Sequence, residues 1–409
     1  MFDKYKKIFI KALGNIKRRR FGWKKQLTKI FKFFYFLIQT PLEFLGDMLF
    51  SAYRWKACTC ENPKRILIVK IDQFGDVLFS TFMLPLMKAA YPDAKIDYVI
   101  HPKIKAVLEK NPHINKIYFW EDIFLYFLLG RKGDPRRNGL KSAKERNAQT
   151  FLELVQNNYD VVINTRAYAP SSNIPWRKLK PKCLIAFDIS EWSFLAHCSV
   201  PYDLYGDEWK NYLNLLNPLG VSKDQNIFHP SFHNTDDGGF WKKFPELASH
   251  KHSYIVCSPV SFDPERFWSD ENWRMIVSYT QSRYIPIVMT GLPDQKEYLE
   301  KLCEKMSQDN LFFATDVTLP EMGSLFAHAK AFVGIDSFPA HLSIASSLET
   351  VCLVNTDAYF LHSHSKQGII DARSMIPLIS GVHVVELQKQ NAQAVIALLD
   401  KIFPRGEKM

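Results

Sequence analysis

The sequence lacks the cysteine patterns that mark disulfide frameworks and zinc sites. Its seven cysteines are an odd number, widely scattered and without a C-x-x-C pair. Cys58 and Cys60 lie close together in the sequence but have no obvious partner ligands. We therefore expect all seven to be unpaired, mostly buried and in a reducing compartment.

Long apolar runs are also missing. The longest run near the start, residues 33–38, is far short of the ~20 residues needed to cross a bilayer. No early segment combines a basic region, an apolar core and a small-residue cleavage site, so no signal peptide is expected.

Net positive charge is absent from most of the chain. The formal charge is +11, and residues 1–32 account for all of it with 12 Lys or Arg and one acid. Because the rest of the chain carries no net charge, a nucleic-acid-binding surface is not expected there. The charge at the start of the chain instead favours a local electrostatic anchor.

That anchor is a basic arm, predicted over residues 1–60. Apolar side chains fall on one side of a helical wheel and cations on the other: Phe2, Tyr5, Phe9, Leu13 and Ile16 against Lys4, Lys7, Lys11 and Arg18. Aromatic residues among lysines follow, a composition that favours binding of an anionic membrane surface through residues 1–38. The alternative is a helix that packs its apolar face on the protein body.

The dinucleotide fingerprint G-x-G-x-x-G is missing as well. Residues 66–100 predict strand, tight turn, helix and second strand, but the turn holds a single glycine, Gly75. Asp76 stands where the helix begins and would repel a phosphate at the place where the helix dipole attracts one. The turn is therefore predicted to meet something other than phosphate.

From residue 65 onward, short β-branched runs alternate with helical segments in two series. The first series is RILIVKI, KIDYVIH, NKIYFW, DVVINTR and CLIAFDI, and the second is SYIVCSP, YIPIVMTG, LFFATD, AFVGID and TVCLVN. This alternation predicts an α/β protein with two parallel sheets, each in a Rossmann-like domain. Two such domains are expected to turn the carboxyl ends of their strands toward one cleft.

The predicted domains are residues 61–235 and residues 236–409, with the polar stretch 228–240 as the linker. The sequence leaves open whether the last helix packs back on the N-terminal domain. Residues 130–147 are basic and contain glycine and proline, and they predict a mobile surface loop.

The second series contains a candidate anion site. FVGIDSFPAHLSIASSL predicts a strand that ends at Asp336, followed by a helix entered through Ser337 and Pro339. The backbone amides of that first turn favour a diphosphate. Arg266 precedes a helix predicted to begin near Glu271, and its guanidinium suits phosphate oxygens.

Four segments together resemble the bacterial heptosyltransferases and their relatives, glycosyltransferase family 9. They are KIDQFGDVLFSTFMLPLMKAAYPDAKIDYV, ERFWSDENW, VMTGLPDQKEYLEKL and TLPEMGSLFAHAKAFVGIDSFPAHLSIA, in the family's order and spacing across residues 64–357. The resemblance implies a GT-B fold and an inverting, metal-independent glycosyl transfer. It also implies ADP-heptose as donor, a lipopolysaccharide core acceptor, and a place on the inner face of the bacterial cytoplasmic membrane.

The resemblance also implies roles for individual residues. Asp76 matches the proposed general base, which suits a carboxylate that is ionised at neutral pH. The implied acceptor-side loop is Asp72, Gln73, Phe74 and Gly75. The implied donor and phosphate site is Arg266, Asp294, Gln295, Val317, Asp336, Ser337, Phe338, Pro339, Ala340 and His341. No metal and no cofactor besides the nucleotide-sugar co-substrate are implied, and no D-x-D pair stands in a strand-end loop.

Alternatives remain open for these residues. Asp76 also fits a helix-start acid, and Asp72 is the rival base. The alternative for Arg266 is a surface cation that pairs with Glu265 or Asp270. The alternative for His341 is a structural residue at the start of a helix.

Three departures from the family pattern fall on the donor side. Phe338 replaces a glycine, Gln295 replaces an acid, and VNTDAY replaces F-G-P-T. Two alternative functions follow. One is transfer of another activated sugar to an O-antigen, capsule or protein acceptor, and the other is binding of a nucleotide sugar without transfer.

Overall fold

The structure is a computed structural model. It describes residues 41–42, 45–49, 58, 60–121, 135–167, 172–203, 208–221, 229–261, 266–307, 309–354, 381–386 and 392–404. The arm prediction for residues 1–38 falls outside these ranges. Within them, no helix combines the length and apolar character needed to cross a membrane.

The chain divides into two compact units. The first comprises Met1–Ile227 with Phe360–Ile369, and the second comprises Phe228–Tyr359 with Ile370–Met409. The division after Ile227 coincides with the start of the polar stretch 228–240.

The first unit is built on a parallel sheet whose described strands run in the order β3-β2-β1-β4-β5-β6. These strands are β1 (Arg65–Val69), β2 (Lys95–Ile100), β3 (Lys116–Phe119), β4 (Val161–Asn164), β5 (Cys183–Phe187) and β6 (Cys198–Val200). Its helices are α1 (Phe74–Ser80), α2 (Met83–Ala90), α3 (Lys105–Leu108), α4 (Pro135–Val155), α5 (Ile174–Lys178) and α6 (Glu208–Leu216).

The second unit repeats this plan, with described strands in the order β12-β11-β10-β7-β8-β9. They are β7 (Ile255–Ser258), β8 (Ile287–Thr290), β9 (Leu311–Ala314), β10 (Ala331–Ile335), β11 (Glu349–Val354) and β12 (Val382–Glu386). Its helices are α7 (Asp237–Lys243), α8 (Asp270–Ser282), α9 (Lys296–Cys303), α10 (Leu319–Ala327), α11 (Phe338–Ala345) and α12 (Ala392–Ile402).

The central strands are apolar along their whole length because helices cover both faces of a parallel sheet. All of β10 is buried, as are four of the five residues of β1. Strand β1 pairs in parallel with β2 on one side and β4 on the other. Strand β10 pairs in the same way with β11 and β7. All ten strands predicted from the sequence are confirmed.

The structure differs from the sequence predictions at strands β6 and β12 and at residues 130–147. The sequence analysis does not predict strand β6, which has three residues, or strand β12, and each of them lies at an edge of its sheet. The loop predicted over residues 130–147 is wrong for its described part, where α4 begins at Pro135. Proline is compatible with the first turn of a helix, since its missing N–H has no partner there. Helix α12 packs on α8 and β11 of the second unit.

The expectation of seven unpaired cysteines is also wrong. The structure joins Cys58 and Cys183 in a disulfide. Cys60 and Cys198 are partly exposed, whereas Cys257, Cys303 and Cys352 are buried as expected. Sequence spacing gave no sign of this pair because the two cysteines are 125 residues apart.

Candidate active site

The strand order of the first sheet determines which loops meet at its carboxyl edge. Strand β1 lies between β2 and β4, and the connections from β1 and β4 lead to opposite sides of the sheet. Open α/β sheets bind ligands at such a switch point. The loop after β1 carries Asp72, the first turn of α1 that follows it carries Asp76, and the loop after β4 carries Arg166.

Asp72 is held by cations from both of these loops. Its Oδ2 accepts a hydrogen bond of 2.7 Å from Lys70 Nζ, and its Oδ1 lies 3.4 Å from Arg166 Nε. The side chains of all three residues are mostly buried. Protonation of Asp72 would weaken both ion pairs, which makes Asp72 a poor proton acceptor.

Asp76 lies four residues after Asp72 in the chain, inside helix α1. Helix α1 begins at Phe74 and has Asp76 in its first turn, where a negative charge favours the helix dipole. The Asp76 side chain is partly exposed, whereas the neighbouring Gly75 is buried. Gln73 is the N-terminal flanking residue of α1, and its exposed side chain does not cap the helix. Asp76 therefore lies beyond the carboxyl edge of the sheet with part of its surface exposed.

Lys70 is the cationic centre of this edge. Its Nζ donates to Asp72 and to the Tyr212 hydroxyl. Burial lowers the pKa of the Lys70 ammonium, but Asp72, Asp76 and Glu208 outweigh burial and raise the pKa overall. The ammonium is therefore charged throughout the neutral range and attracts the Asp76 carboxylate.

Helix α6 carries two polar side chains, Glu208 and Tyr212, that interact with Lys70. Glu208 and Tyr212 are four residues apart and so share one face of this helix. Burial raises the pKa of Glu208, against the hydrogen bond from the Tyr202 hydroxyl and the attraction of Lys70. Burial and the neighbouring acids raise the pKa of Tyr212 well above its ordinary value. Tyr212 is therefore neutral, and its oxygen accepts from Lys70.

In the second unit, the donor-side residues predicted from the sequence follow the carboxyl ends of four adjacent strands. Asp336 follows β10, Arg266 follows β7, Gln295 follows β8, and Val317 follows β9. The order β10-β7-β8-β9 places their loops side by side along one edge of the sheet. Residues that are far apart in the sequence are thereby brought to one edge.

Arg266 and Asp336 are in contact at the switch point between β7 and β10. The Nη1 of Arg266 donates to the carbonyl oxygen of Asp336 at 2.8 Å and lies 4.0 Å from its Oδ2. The Arg266 side chain is 25% exposed, whereas that of Asp336 is 3% exposed. The guanidinium is thus fixed at its inner end and keeps some access to solvent.

The turn into α11 has fewer amides for an anion than the sequence suggests. Ser337 precedes the helix in extended conformation, and Pro339 at its second position has no N–H. The N–H of Ala340 donates to the Ser337 carbonyl oxygen at 3.0 Å. Pro339 and Ala340 therefore offer no backbone N–H to a ligand.

His341 lies one position further along α11 and is buried. Its Nδ1 has no hydrogen-bond partner among the residues that the structure describes. A buried polar atom of this kind is costly unless a ligand, a water or another part of the chain pairs with it.

The two residues after β8 differ in their surroundings. The Oε1 of Gln295 accepts the N–H of Leu292 at 2.9 Å, which closes the short 3₁₀ turn Pro293–Gln295. Gln295 thus has a local structural role, whereas Asp294 beside it is exposed. Val317 is partly exposed between β9 and α10.

Sequence reasoning missed four residues of the first site: Lys70, Arg166, Glu208 and Tyr212. Lys70 carried a usable signal, because a lysine that ends a buried apolar strand needs an acidic partner. Arg166 and the two residues of α6 carried none, since their role arises only when the strands are ordered in the sheet.

Comparisons with known proteins agree with this architecture. The sequence model of glycosyltransferase family 9 (heptosyltransferase) matches residues 148–367. Lipopolysaccharide heptosyltransferase 3 of Escherichia coli is 26% identical over 314 residues, which cover 72% of this chain and 85% of that protein. The protein of the same name from strain K12 is 25% identical over 362 residues, which cover 81% and 95% of the two chains.

Solved structures of similar fold span most of the chain. The glycosyl transferase family 9 protein from Veillonella parvula DSM 2008 has a TM-score of 0.64 and 19% identity, covering 85% of this chain and 99% of its own. The E. coli heptosyltransferase WaaC with ADP-2-deoxy-2-fluoro heptose has a TM-score of 0.63 and 18% identity, covering 82% and 99%. The fold is that of the GT-B glycosyltransferases, with two Rossmann-like domains.

Since the family match covers more than half of the residues, the chain belongs to glycosyltransferase family 9, the heptosyltransferase family, and is a glycosyltransferase.

Proposed function

We propose that this enzyme is an inverting, metal-independent transferase that moves heptose from ADP-heptose onto a lipopolysaccharide core or a related surface glycan. The relatives named above support the acceptor class, since both are lipopolysaccharide heptosyltransferases. The similar structure that contains a fluorinated ADP-heptose supports the donor.

One observation carries the assignment of the base. Of the two acids that follow β1, Asp72 has a cation at each carboxylate oxygen and holds the loop to β4, whereas Asp76 stands in the first turn of α1, at the position that the family resemblance gives to the base. Asp76 is therefore the better proton acceptor of the two. It acts as the general base, and Asp72 fixes the loop.

The proposed step is a single displacement at the anomeric carbon. The acceptor oxygen forms a bond to that carbon while its proton passes to the Asp76 carboxylate. The bond between the anomeric carbon and the diphosphate oxygen breaks on the opposite face, which inverts the configuration. ADP leaves with the bonding electron pair, and Asp76 then returns its proton to water.

The donor edge of the second unit supplies positive charge for the leaving group. The Arg266 guanidinium, fixed to Asp336 on one side, can form charge-assisted hydrogen bonds to diphosphate oxygens on the other. The backbone amide of Ser337 adds to it, and His341 contributes a buried ring nitrogen close to the same turn. A side-chain cation of this kind takes the role that a divalent ion has in other transferases.

The acceptor is membrane-bound in this proposal, and the enzyme works at the cytoplasmic face of the inner membrane. Its arm, residues 1–38, binds anionic lipid. The described residues that follow residue 38 support this, since four of them expose large apolar side chains: Leu42, Leu45, Met48 and Leu49. Residues 45–49 are helical, and the exposed residues have helical spacing.

Phe338 supports a second candidate, a donor other than ADP-heptose or a protein that binds without transfer. Its ring stands at the first position of α11, where the family pattern has glycine. A side chain at that position limits how closely a diphosphate can approach the turn.

A transfer assay separates these candidates. The full chain is incubated with ADP-heptose or with other nucleotide sugars, and with core lipopolysaccharide extracted from strains that lack single core sugars. Mass spectrometry of the acceptor then identifies the added sugar. Added heptose supports the proposal, and added hexose supports the other donor. Tight ADP binding, measured by calorimetry, without transfer to any acceptor supports the binding protein.

A further inference from the structure

A cluster of cysteine sulfur atoms lies outside the proposed active site. The Sγ atoms of Cys58, Cys183 and Cys198 all lie within 4.8 Å of one another. Cys183 begins β5 and Cys198 begins β6, and Cys198 is paired with Ile185. Because side chains two residues apart in a strand share a face, Cys183 and Cys198 project to the same face of the sheet. The segment before β1 brings Cys58 to them.

The cluster lies at the amino edge of the first sheet. The N–H of Cys183 donates to the carbonyl oxygen of Asp160, the residue before β4. Asp160 in turn accepts from the backbone N–H groups of Lys64 and Arg65 at 2.8 and 3.0 Å. Asp72 and Asp76 lie at the opposite, carboxyl edge, so the cluster has no part in sugar transfer.

A fourth thiol lies at the same edge. Cys60 interacts electrostatically with Asp160 and with Lys182, which is adjacent to Cys183 in the chain. Burial raises the pKa of the Cys198 thiol, and the neighbouring backbone of Cys58 opposes this shift.

The disulfide between Cys58 and Cys183 uses only two of these sulfur atoms. It gives no role to Cys198, the third member of the cluster, or to Cys60. Three converging sulfur atoms, with the Cys60 thiol at the same edge, have the softness and together the number that Zn²⁺ prefers in structural sites. With Zn–S bonds of about 2.3 Å, tetrahedral sulfur atoms lie about 3.8 Å apart, so the three clustered sulfur atoms need only small side-chain adjustments.

We propose that the reduced chain binds one Zn²⁺ ion through Cys58, Cys60, Cys183 and Cys198. Reduction of the Cys58–Cys183 disulfide takes two electrons from the phosphine, which becomes the phosphine oxide, while water supplies the oxygen atom and the two thiol protons. Binding of the ion then releases the thiol protons. The site fastens the segment before β1 to β5 and β6, and so fixes the point at which the basic arm leaves the first unit.

Metal content tests the proposal directly. The full chain is purified with a phosphine reductant, equilibrated with Zn²⁺, desalted and analysed by plasma mass spectrometry. We expect about one zinc per chain. Cys198→Ser should lose most of it, and the control Cys303→Ser, in the second unit, should keep it. Cys198 is informative because it takes no part in the disulfide.

Two results would overturn the site. One is wild-type protein that retains no zinc after reduction, and the other is Cys198→Ser with wild-type zinc content. Unchanged zinc in Cys60→Ser would overturn the fourth ligand.

A second measurement covers the case in which the variants do not fold. Wild-type protein loaded with Co²⁺ should show the intense thiolate-to-metal absorption of a tetrahedral sulfur site. Addition of a chelator should abolish that absorption and expose four further thiols to a thiol reagent. Absence of the absorption would count against the site.

Discussion

Lys70 Nζ donates to Asp72 Oδ2 at 2.7 Å, directly beyond the carboxyl end of β1. Arg166, which follows β4, approaches the other oxygen of the same carboxylate. Asp72 therefore ties together the two loops at the switch point of the first sheet. Breaking a buried pair of this kind is costly because it leaves an uncompensated charge. The loop that carries Asp76 is fixed by this pair.

Asp76→Asn should lower the transfer rate by about 10²–10⁴-fold, because an amide cannot accept the acceptor proton. Calorimetric binding of ADP should stay within about twofold of wild type, since Asp76 does not contact the donor edge in our proposal. The exposed Asp93, whose carboxylate is 3.7 Å from Lys64 Nζ, provides the matched control as Asp93→Asn.

The rival base is examined with Asp72→Asn. This change should lower the free energy of unfolding by about 3 kcal/mol, since Lys70 and Arg166 lose their shared partner. Retention of transfer by Asp76→Asn, together with its loss in a folded Asp72→Asn, would assign the base to Asp72.

Lys70→Met should move the acidic limb of the pH profile of kcat/KM upward by about 0.5 to 1 pH unit. Removal of the ammonium favours the protonated form of Asp76 and so raises the pKa of that carboxyl. Tyr212→Phe removes a hydrogen-bond partner of Lys70 but keeps the charge, and the limb should stay in place. An unmoved limb in a folded Lys70→Met protein would argue against Asp76 as the titrating base.

Arg266→Ala should weaken ADP binding by about 10- to 100-fold, the loss expected for one or two charge-assisted hydrogen bonds. Arg266→Lys should retain part of the affinity, since a point charge replaces the guanidinium. The control is Arg274→Ala, whose side chain is 41% exposed and lies 3.9 Å from Asp270. Equal ADP affinity in Arg266→Ala and wild type would exclude a role for Arg266 in diphosphate binding.

Glu321→Gln should reduce the stability of the second unit at neutral pH by about 1–3 kcal/mol. Burial alone would raise the pKa of Glu321, but the N–H of Thr318 and the ammonium of Lys243 hold it below its ordinary value. The carboxylate therefore stabilises the fold fully above its unfolded pKa, and this stability is lost as pH falls through the folded pKa.

The difference between wild type and Glu321→Gln should thus be largest above about pH 4.5 and shrink in stronger acid. Urea unfolding at stepped pH measures it, with the exposed Glu300→Gln as control. A difference that stays constant into acid would mean that the carboxylate charge plays no part.

Deletion of residues 1–38 should release the enzyme from vesicles that contain anionic lipid. Residues 1–38 carry all of the net charge of +11, and each cation near such a surface contributes about 1 kcal/mol. Cosedimentation measures binding, with zwitterionic vesicles and raised salt as controls. Equal sedimentation of the full and shortened chains with anionic vesicles would contradict the membrane role of the arm.

The local pattern was enough to predict many elements of this protein. Apolar β-branched runs located ten strands, and Ser337 with Pro339 located the start of α11. These predictions succeed because strand formation and helix starts depend on neighbouring residues. The same reliance on local signals failed at residues 130–147, where glycine and proline suggested a loop. Proline in the first turn and the strong helix formers after it produce α4 instead.

The sequence by itself determined the fold class and the strand-end positions of Asp76, Arg266 and Asp336. Only the tertiary structure decided which distant residues come into contact. Lys70 and Arg166 pair with Asp72, side chains of α6 interact with Lys70, and the cysteine cluster forms at the opposite edge of the sheet. The physical reason is that these contacts join segments up to about 140 residues apart. The order of strands in each sheet brings them together, and no local spacing in the sequence encodes that order.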